Sequence, residues 1–245
     1  MGRAKEIRLK VIPDKLARAF VKKHHYSGKV APNSTLSFGA FLEGHLHGVM
    51  QYGPSMAKKL ILPLVTGTGW NESIELNRMA FDDVLPKNSE SRCLSIAHKM
   101  IKKKAPHIKW IISFSDGSQC GDGAIYRASG FVLTQIRKNT DLRINPNDGK
   151  VMHSISAYHL GIRKEFNKWK TVDGFQLRYL YFLDKSYKSR LTCPILPFHK
   201  IDEAGARMYK GVKQSLESRD SAATDAQSEE GGANPTSGLS SSEGA

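Results

Sequence analysis

The sequence predicts a single α/β domain in which a mixed central sheet is flanked by helices. Three observations carry that prediction. Two alternating apolar segments, LSFGAFLE and HLHGVMQYG, meet at Glu43-Gly44 and read as an antiparallel hairpin. The run IKWIISFS reads as a strand buried on both faces. KLARAFVKKHH and SESRCLSIAHKMIKKK are amphipathic and would cover such a sheet. The chain has 245 residues and is 40% hydrophobic, enough for a core of that size.

Along the chain, Lys5 to Ile12 alternates charged and apolar residues, as a strand does. Pro13-Asp14 opens the first helix, with Leu16 and Phe20 on one face and lysines on the other. YSGKVAPNS is a turn-rich loop before the hairpin. Residues 54–72 lack periodicity and read as an irregular excursion. IELNRMAF is strand-like; simple alternation puts Glu75, Asn77 and Met79 on one face and Leu76, Arg78 and Ala80 on the other. The helix from Ser89 has serine caps and Glu90 at its start and lysines at its end, all suited to the helix dipole. GDGAIYRASGF reads as a helix of about two turns stopped by glycine. FVLTQIRK reads as a strand, residues 139–150 as a polar loop, HSISAYHLGIRKEF as a helix and FQLRYLYFLD as an aromatic strand. Residues 185–208, with Pro194 and Pro197, are expected to pack extended against the body. From Gln214 onward small and acidic residues dominate, so 214–245 is expected to be a disordered acidic tail beside a domain of residues 1–213.

The net charge is +14, from 37 Lys and Arg against 23 Asp and Glu. One of those basic and six of those acidic residues fall after position 213, leaving 36 against 17, or +19, on the body. A surplus of that size points to a polyanionic partner, nucleic acid first, since phosphate neutralisation supplies most non-specific affinity. Cys93, Cys120 and Cys193 are odd in number and far apart, which argues against a disulfide framework and a cysteine zinc site. There is no apolar signal core and no long uncharged apolar run, so a cytosolic protein is expected. Walker, GxGxxG and (D/N)PP(F/Y) motifs are absent, which argues against nucleotide hydrolysis, dinucleotide redox chemistry and the usual amino-group methyl transfer.

Several positions carry candidate chemistry. KNSESR (87–92) feeds a helix N-terminus, where Ser91 and Arg92 suit an anionic group; Ser89 and Glu90 equally make a plain capping box. Arg78 among apolar neighbours needs a partner, either Asp116 or a bound anion. Asp116 ends a strand at a glycine loop, the place where ligands of α/β sheets gather, and is a candidate base or a turn residue. Ser113 alternates with Phe114 on the same strand. Tyr126 is either a core residue or a proton donor. His24, His25 and Tyr26 end the first helix, where they suit stacking on a base or proton transfer, or serve as a plain helix C-cap with one exposed and one packed histidine. His45 and His47 share one side of the hairpin, but no metal site is assigned from them and the metal requirement stays open.

HHYSGK, FGAF, ELNRMAFDD, PKNSESR, SFSDGSQCGDGAIYRASGF and YFLDKSYKSRLTCPILPF, in that order over residues 5–200, resemble the Mom family of phage DNA-modification proteins. The order strand, loop, helix, strand, helix, Gly-Phe also resembles the donor half of the GNAT acyltransferase fold. The resemblance implies a GNAT-like domain whose substrate is adenine in double-stranded DNA, converted to an N6-carbamoylmethyl derivative that protects phage DNA from host restriction, in the host cytoplasm. It implies catalytic roles for Asp116, Tyr126, Arg78 and Tyr26. Donor contacts from Ser91, Ser89, Arg92 and Ser113 and substrate contact from His25 complete the set. An acyl-coenzyme A-type donor is implied, although the loop of ordinary GNAT proteins carries glycines where this chain has Ser89, Glu90 and Ser91. Simple acetyl transfer would leave an amide rather than a carbamoylmethyl group. The competing readings are a GNAT-type N-acyltransferase acting on a protein, RNA or small amine, and a DNA-binding protein without catalysis.

Overall fold

The structure, a computed structural model, describes residues 3–116, 123–206, 208–209 and 212–213. The expected tail at 214–245, Cys120 and most of the glycine loop after Asp116 lie outside the described residues. No helix of the described residues is long and apolar enough to cross a membrane.

The chain runs β1 (Arg8–Val11), α1 (Asp14–His24), β2 (Leu36–Leu42), β3 (His45–Gly53), α2 (Lys58–Ile61), β4 (Ser73–Phe81), α3 (Ser89–Lys104), β5 (Trp110–Asp116), α4 (Ala124–Ala128) and β6 (Val132–Lys138). It continues through β7 (Leu142–Ile144), β8 (Val151–His153), α5 (Ser154–His159), α6 (Arg163–Phe166), β9 (Lys170–Thr171), β10 (Phe175–Phe182) and α7 (Lys200–Glu203). A seven-stranded sheet in the order β1-β2-β3-β4-β5-β10-β6 forms the centre. Its described pairings are antiparallel except β4 with β5, so the sheet is mixed, as expected.

The hairpin turns at Glu43 and Gly44, with φ of 51° and 84°. Two left-handed residues in a row match the twist of the flanking strands, and glycine takes the second without strain. Helix α3 covers one sheet face; Cys93, Leu94, Ala97 and Ile101 pack with Phe38, Tyr52, Leu76, Ile111 and Leu177. Helix α1 covers the other, where Ala17, Phe20 and Val21 meet Val49 and Ala80. Strand β5 feeds both faces, with Ile111 in the first cluster and Trp110 and Ile112 in a third with Ile61, Val65 and Tyr187.

Four expectations change. Helix α3 is entered through Asn88, in the left-handed region at φ 67°, and Ser89 is its first helical residue rather than its cap. The excursion at 54–72 holds α2 and a 3-10 turn at Leu62–Leu64. The segment 185–208 coils into a 3-10 helix at Lys185–Arg190 and into α7, touching the body by bridges at Leu191 and Leu196. Between β6 and β10, the expected polar loop and single helix are instead a small three-stranded sheet, β8-β7-β9, with two short helices broken at Gly161 (φ 71°).

The β4 strand carries the feature that shapes the site. Its pairing with β3 runs Met50–Met79, Gln51–Arg78, then Tyr52–Leu76 and Gly53–Glu75, so Asn77 is an extra residue in a β-bulge. The bulge resets the alternation. Leu76 and Met79 both face the α3 core, while Glu75, Arg78 and Ala80 share the opposite face. Gly53 is required beside the bulge, because a Cβ there would collide with the Asn33 carbonyl and the Asn77 side chain.

Candidate active site

Strands β4 and β5 pair from Ser73–Trp110 to Leu76–Ser113 and then part. Parting parallel strands leave a crevice beyond their carboxyl ends, the usual ligand position in such sheets. A cleft of about 660 Å³ opens there. Its floor is Glu75, Arg78, Phe114, Ser115 and Asp116; one wall is the loop after α1, with His25, Tyr26 and Lys29. The other wall comes from β6, with Arg137, from β10, and from the segment between them, with Asp141, Val151 and His153. A second hollow of about 250 Å³, lined by Ala31, Pro32, Ser55, Met56 and Ile61, shares Glu75, Arg78 and Phe114 with the first.

Four expected site residues thus meet in one cleft: His25, Tyr26, Arg78 and Asp116. Asp116 is half-buried at the last position of β5, opposite Gln176. Arg78 donates from Nε to the Lys29 carbonyl at 3.0 Å and from Nη1 to the Asn77 carbonyl at 2.7 Å. The guanidinium therefore ties the α1 loop to the bulge while carrying positive charge into both hollows. Tyr26 is 56% exposed at the rim, and its ring lies 4.2 Å from that of His25. Burial, then the Arg78 charge, pull the His25 pKa down to about 4, so the ring is neutral near pH 7. Its Nδ1 accepts the Ser27 backbone N–H at 3.2 Å, which places the ring proton on Nε2. His25 is thereby a hydrogen-bond donor to anything in the cleft.

The remaining expected residues lie elsewhere. Tyr126 is buried, stacked flat on Tyr179 at 4.2 Å, with its hydroxyl 3.0 Å from Ser113 Oγ. Ser113 in turn donates to the Leu76 carbonyl at 3.4 Å. Leu76 and Ser113 are the last paired rung of β4 and β5, so the Tyr126 hydroxyl sits one hydrogen bond from the point where the strands part. Ser91 bonds the Asn88 carbonyl at 3.2 Å and Ser89 the Pro86 carbonyl, so both hydroxyls brace the loop before α3. Arg92 reaches the Lys5 carbonyl at 3.5 Å, and its Nε is buried with no hydrogen-bond partner among the described residues.

Three residues of the cleft escaped the sequence reading. Glu75 was placed opposite Arg78 by simple alternation, which the bulge breaks. Burial raises its pKa above the ordinary carboxylate value, against hydrogen bonds from Ser55 and Asn77 and the charge of Arg78. Ser115 lines the cleft with a buried Oγ that has no partner among the described residues, a group that a bound ligand would satisfy. His153 caps α5 by accepting the Ile155 N–H at 3.1 Å, and burial lowers its pKa. No signal in the sequence marked Ser115 or His153.

Other reactive groups are quiet. Burial, then Glu90, push the Cys93 thiol up to about 12, so it stays protonated. His98 is fully enclosed by aromatic rings, and burial lowers its pKa to about 3. His47 pairs with Asp82 at 2.9 Å. Among the described residues no three His, Cys, Asp or Glu side chains gather as a metal site.

Comparison with solved structures returns N-acetyltransferases at low similarity. A spermidine/spermine N-acetyltransferase from Vibrio cholerae, solved with manganese ions, is 9% identical, with TM-score 0.46 over 77% of this chain and 99% of that one. A ribosomal-protein-S18-alanine N-acetyltransferase from Escherichia coli is 11% identical, with TM-score 0.44 over 73% and 94%. Both are likenesses only at such scores. Sequence comparison is more specific. The chain is 34% identical over 197 residues to the methylcarbamoylase mom of Escherichia phage Mu, covering 77% of this chain and 80% of that protein. The model of the Mom protein family matches residues 6–200, and the chain belongs to that family.

Proposed function

We propose that this chain transfers a carbamoylmethyl group to the exocyclic amino nitrogen of adenine in double-stranded DNA, and so shields phage DNA from restriction. As a Mom family member it is a transferase with a role in DNA modification. The observation that carries the finer reading is the cleft itself. A stacking pair, a cation and two carboxylates converge where β4 and β5 part, in a space large enough for one extruded nucleotide.

The geometry supports these roles. Tyr26 stacks on the base and His25 donates from Nε2 to one of its ring nitrogens. Asp116 orients the amino group. Glu75, whose pKa burial raises, takes the proton that the nitrogen loses as it bonds to the donor carbon. Arg78 holds the developing charge. On the other side of the sheet, the buried Tyr126 hydroxyl supplies a proton to the leaving group through Ser113. The α3 side of the gap suits an anionic part of the carbamoylmethyl donor, where the unsatisfied Nε of Arg92 would take a phosphate oxygen and Ser89 and Ser91 hold the loop in shape.

The test is mass spectrometry of nucleosides from plasmid DNA of cells expressing the chain, beside Asp116→Ala. A deoxyadenosine heavier by a carbamoylmethyl group, absent from the variant, is expected. Unmodified DNA from cells holding folded protein would overturn the reading, and a modified nucleoside in the RNA digest would replace it.

A further inference from the structure

The segment between β6 and β10 is an insertion with its own small core. Strand β10 re-enters the sheet at Phe175, directly opposite Lys138 where β6 ends. The intervening residues fold around buried Ala157 and Phe166, with Trp169 5.6 Å from Phe166. Arg143 lies 5.5 Å from the Phe166 ring and donates to the Asn167 and Trp169 carbonyls, at 2.9 and 2.7 Å. One side of this insertion, including Asp141, Val151 and His153, is the cleft wall.

Its tip is built differently. Ile155, Tyr158 and Leu160 are 55%, 64% and 63% exposed. Ile155 and Tyr158 are three apart on α5 and share a face, and Leu160 follows before the glycine break. None of the three belongs to a core cluster. Arg163 lies 6.0 Å from the Tyr158 ring, and Lys164, Lys168 and Lys170 are exposed on the segment that follows. Single exposed apolar residues need no explanation, but three within six residues, beside a cleft and followed in the chain by Arg163 and three exposed lysines with one exposed Glu165 among them, mark a contact surface. Flat bases and phosphates together match that mixture of apolar and cationic groups.

We propose that the tip Ile155–Leu160 is a wedge that enters DNA beside the target adenine, filling the space that the extruded base leaves, while Arg163, Lys164 and Lys168 hold the flanking phosphates. The inference rests on the adenine reading above. It accounts for a step that reading requires, because the amino group is paired inside the duplex and the base must leave the stack. Apolar side chains inserted between base steps offset the cost of unstacking.

The test uses the full chain and two probe duplexes. In one, 2-aminopurine replaces adenine at a position that the chain modifies in plasmid DNA, and is paired with thymine. In the other, it faces an abasic site and is already free to leave the stack. Binding is followed by anisotropy, unstacking by 2-aminopurine fluorescence, and modification by nucleoside mass spectrometry of plasmid from expressing cells. With the wild-type chain, fluorescence of the paired probe should rise on binding. The double variant Tyr158→Ser, Leu160→Ser should bind the abasic probe as the wild type does. It should lose the rise on the paired probe and modify plasmid roughly tenfold less, because nothing then offsets the cost of unstacking the base. The Ile155→Ser variant should fall between. A double variant with wild-type fluorescence and modification overturns the wedge, as does one that loses both probes equally. Wild-type protein that modifies plasmid without raising fluorescence overturns the wedge alone. Wild-type protein that binds neither probe and modifies no DNA overturns the adenine reading with it.

Discussion

Glu75 and Arg78 stand on the same face of β4, although they are three positions apart on a strand. The bulge at Asn77 is the reason. It turns an acid and a base that alternation would send to opposite faces into neighbours at the junction of two hollows. The pair is unequal, because burial keeps Glu75 easier to protonate than an ordinary carboxyl while Arg78 retains its charge.

Replacing Glu75 by Gln should lower DNA modification by roughly a hundredfold, the lower range for loss of a general base. Stability should move the other way. A carboxyl whose folded pKa is raised binds more protons folded than unfolded, so its contribution is favourable at low pH and is lost as pH rises through the folded value. Glu75→Gln removes that loss and should melt higher than wild type at neutral pH. Nucleoside mass spectrometry and thermal melts at two pH values check both signs.

His98 should make the fold acid-sensitive. Its folded pKa of about 3 lies below the ordinary histidine value of 6.5, so the unfolded chain binds the extra proton and stability falls as pH drops from about 6.5 toward 3. His25, at about 4, adds to the decline over its own window. Both His98 ring nitrogens lack partners among the described residues, and the ring packs on Tyr181 at 4.2 Å and Phe131 at 5.4 Å. His98→Phe should therefore equal or exceed wild-type stability at pH 7 and flatten the decline, as read by denaturant titration across that range.

Tyr126→Phe and Ser113→Ala remove the two ends of one hydrogen bond. Each should cost about 1 kcal/mol of stability. If the phenol supplies the leaving-group proton, Tyr126→Phe should cut modification by roughly a hundredfold. Ser113→Ala should cut it by a similar factor, because the phenol reaches the leaving group through that hydroxyl. Equal and small losses would reduce both residues to packing.

Gly53→Ala should destabilise the fold by about 1–3 kcal/mol, the usual range for overpacking. The obstruction is largely the Asn33 backbone, which cannot swing aside as a side chain would. A control at Gly44, whose Cβ would meet nothing within 4 Å but whose φ is 84°, isolates the cost of the left-handed backbone alone. Urea midpoints of the two variants give the comparison.

The sheet was legible in the sequence where periodicity is undisturbed. The β2–β3 hairpin, β5, β6 and β10 fall within a few residues of their expected places because alternation and turn residues agree there. Half of the candidate site was legible too. Tyr26, His25, Arg78 and Asp116 meet because strand ends and helix ends are visible in sequence. Glu75 was not, since a bulge leaves no pattern of its own and only pairing with β3 exposes it. The small sheet at Leu142–Ile144, Val151–His153 and Lys170–Thr171 was hidden for another reason. Strands of two or three residues are too short to show alternation, and their order depends on contacts distant in sequence.

The insertion leaves the sheet at Lys138 and returns at Phe175, its neighbour across the β6–β10 ladder. A segment whose two ends are adjacent rungs can lengthen, shrink or be exchanged without shifting the register of any strand that carries Glu75, Arg78 or Asp116. Target preference and chemistry are then free to diversify on separate schedules. Related enzymes should differ most between these two rungs while keeping the bulge and the parting strands fixed.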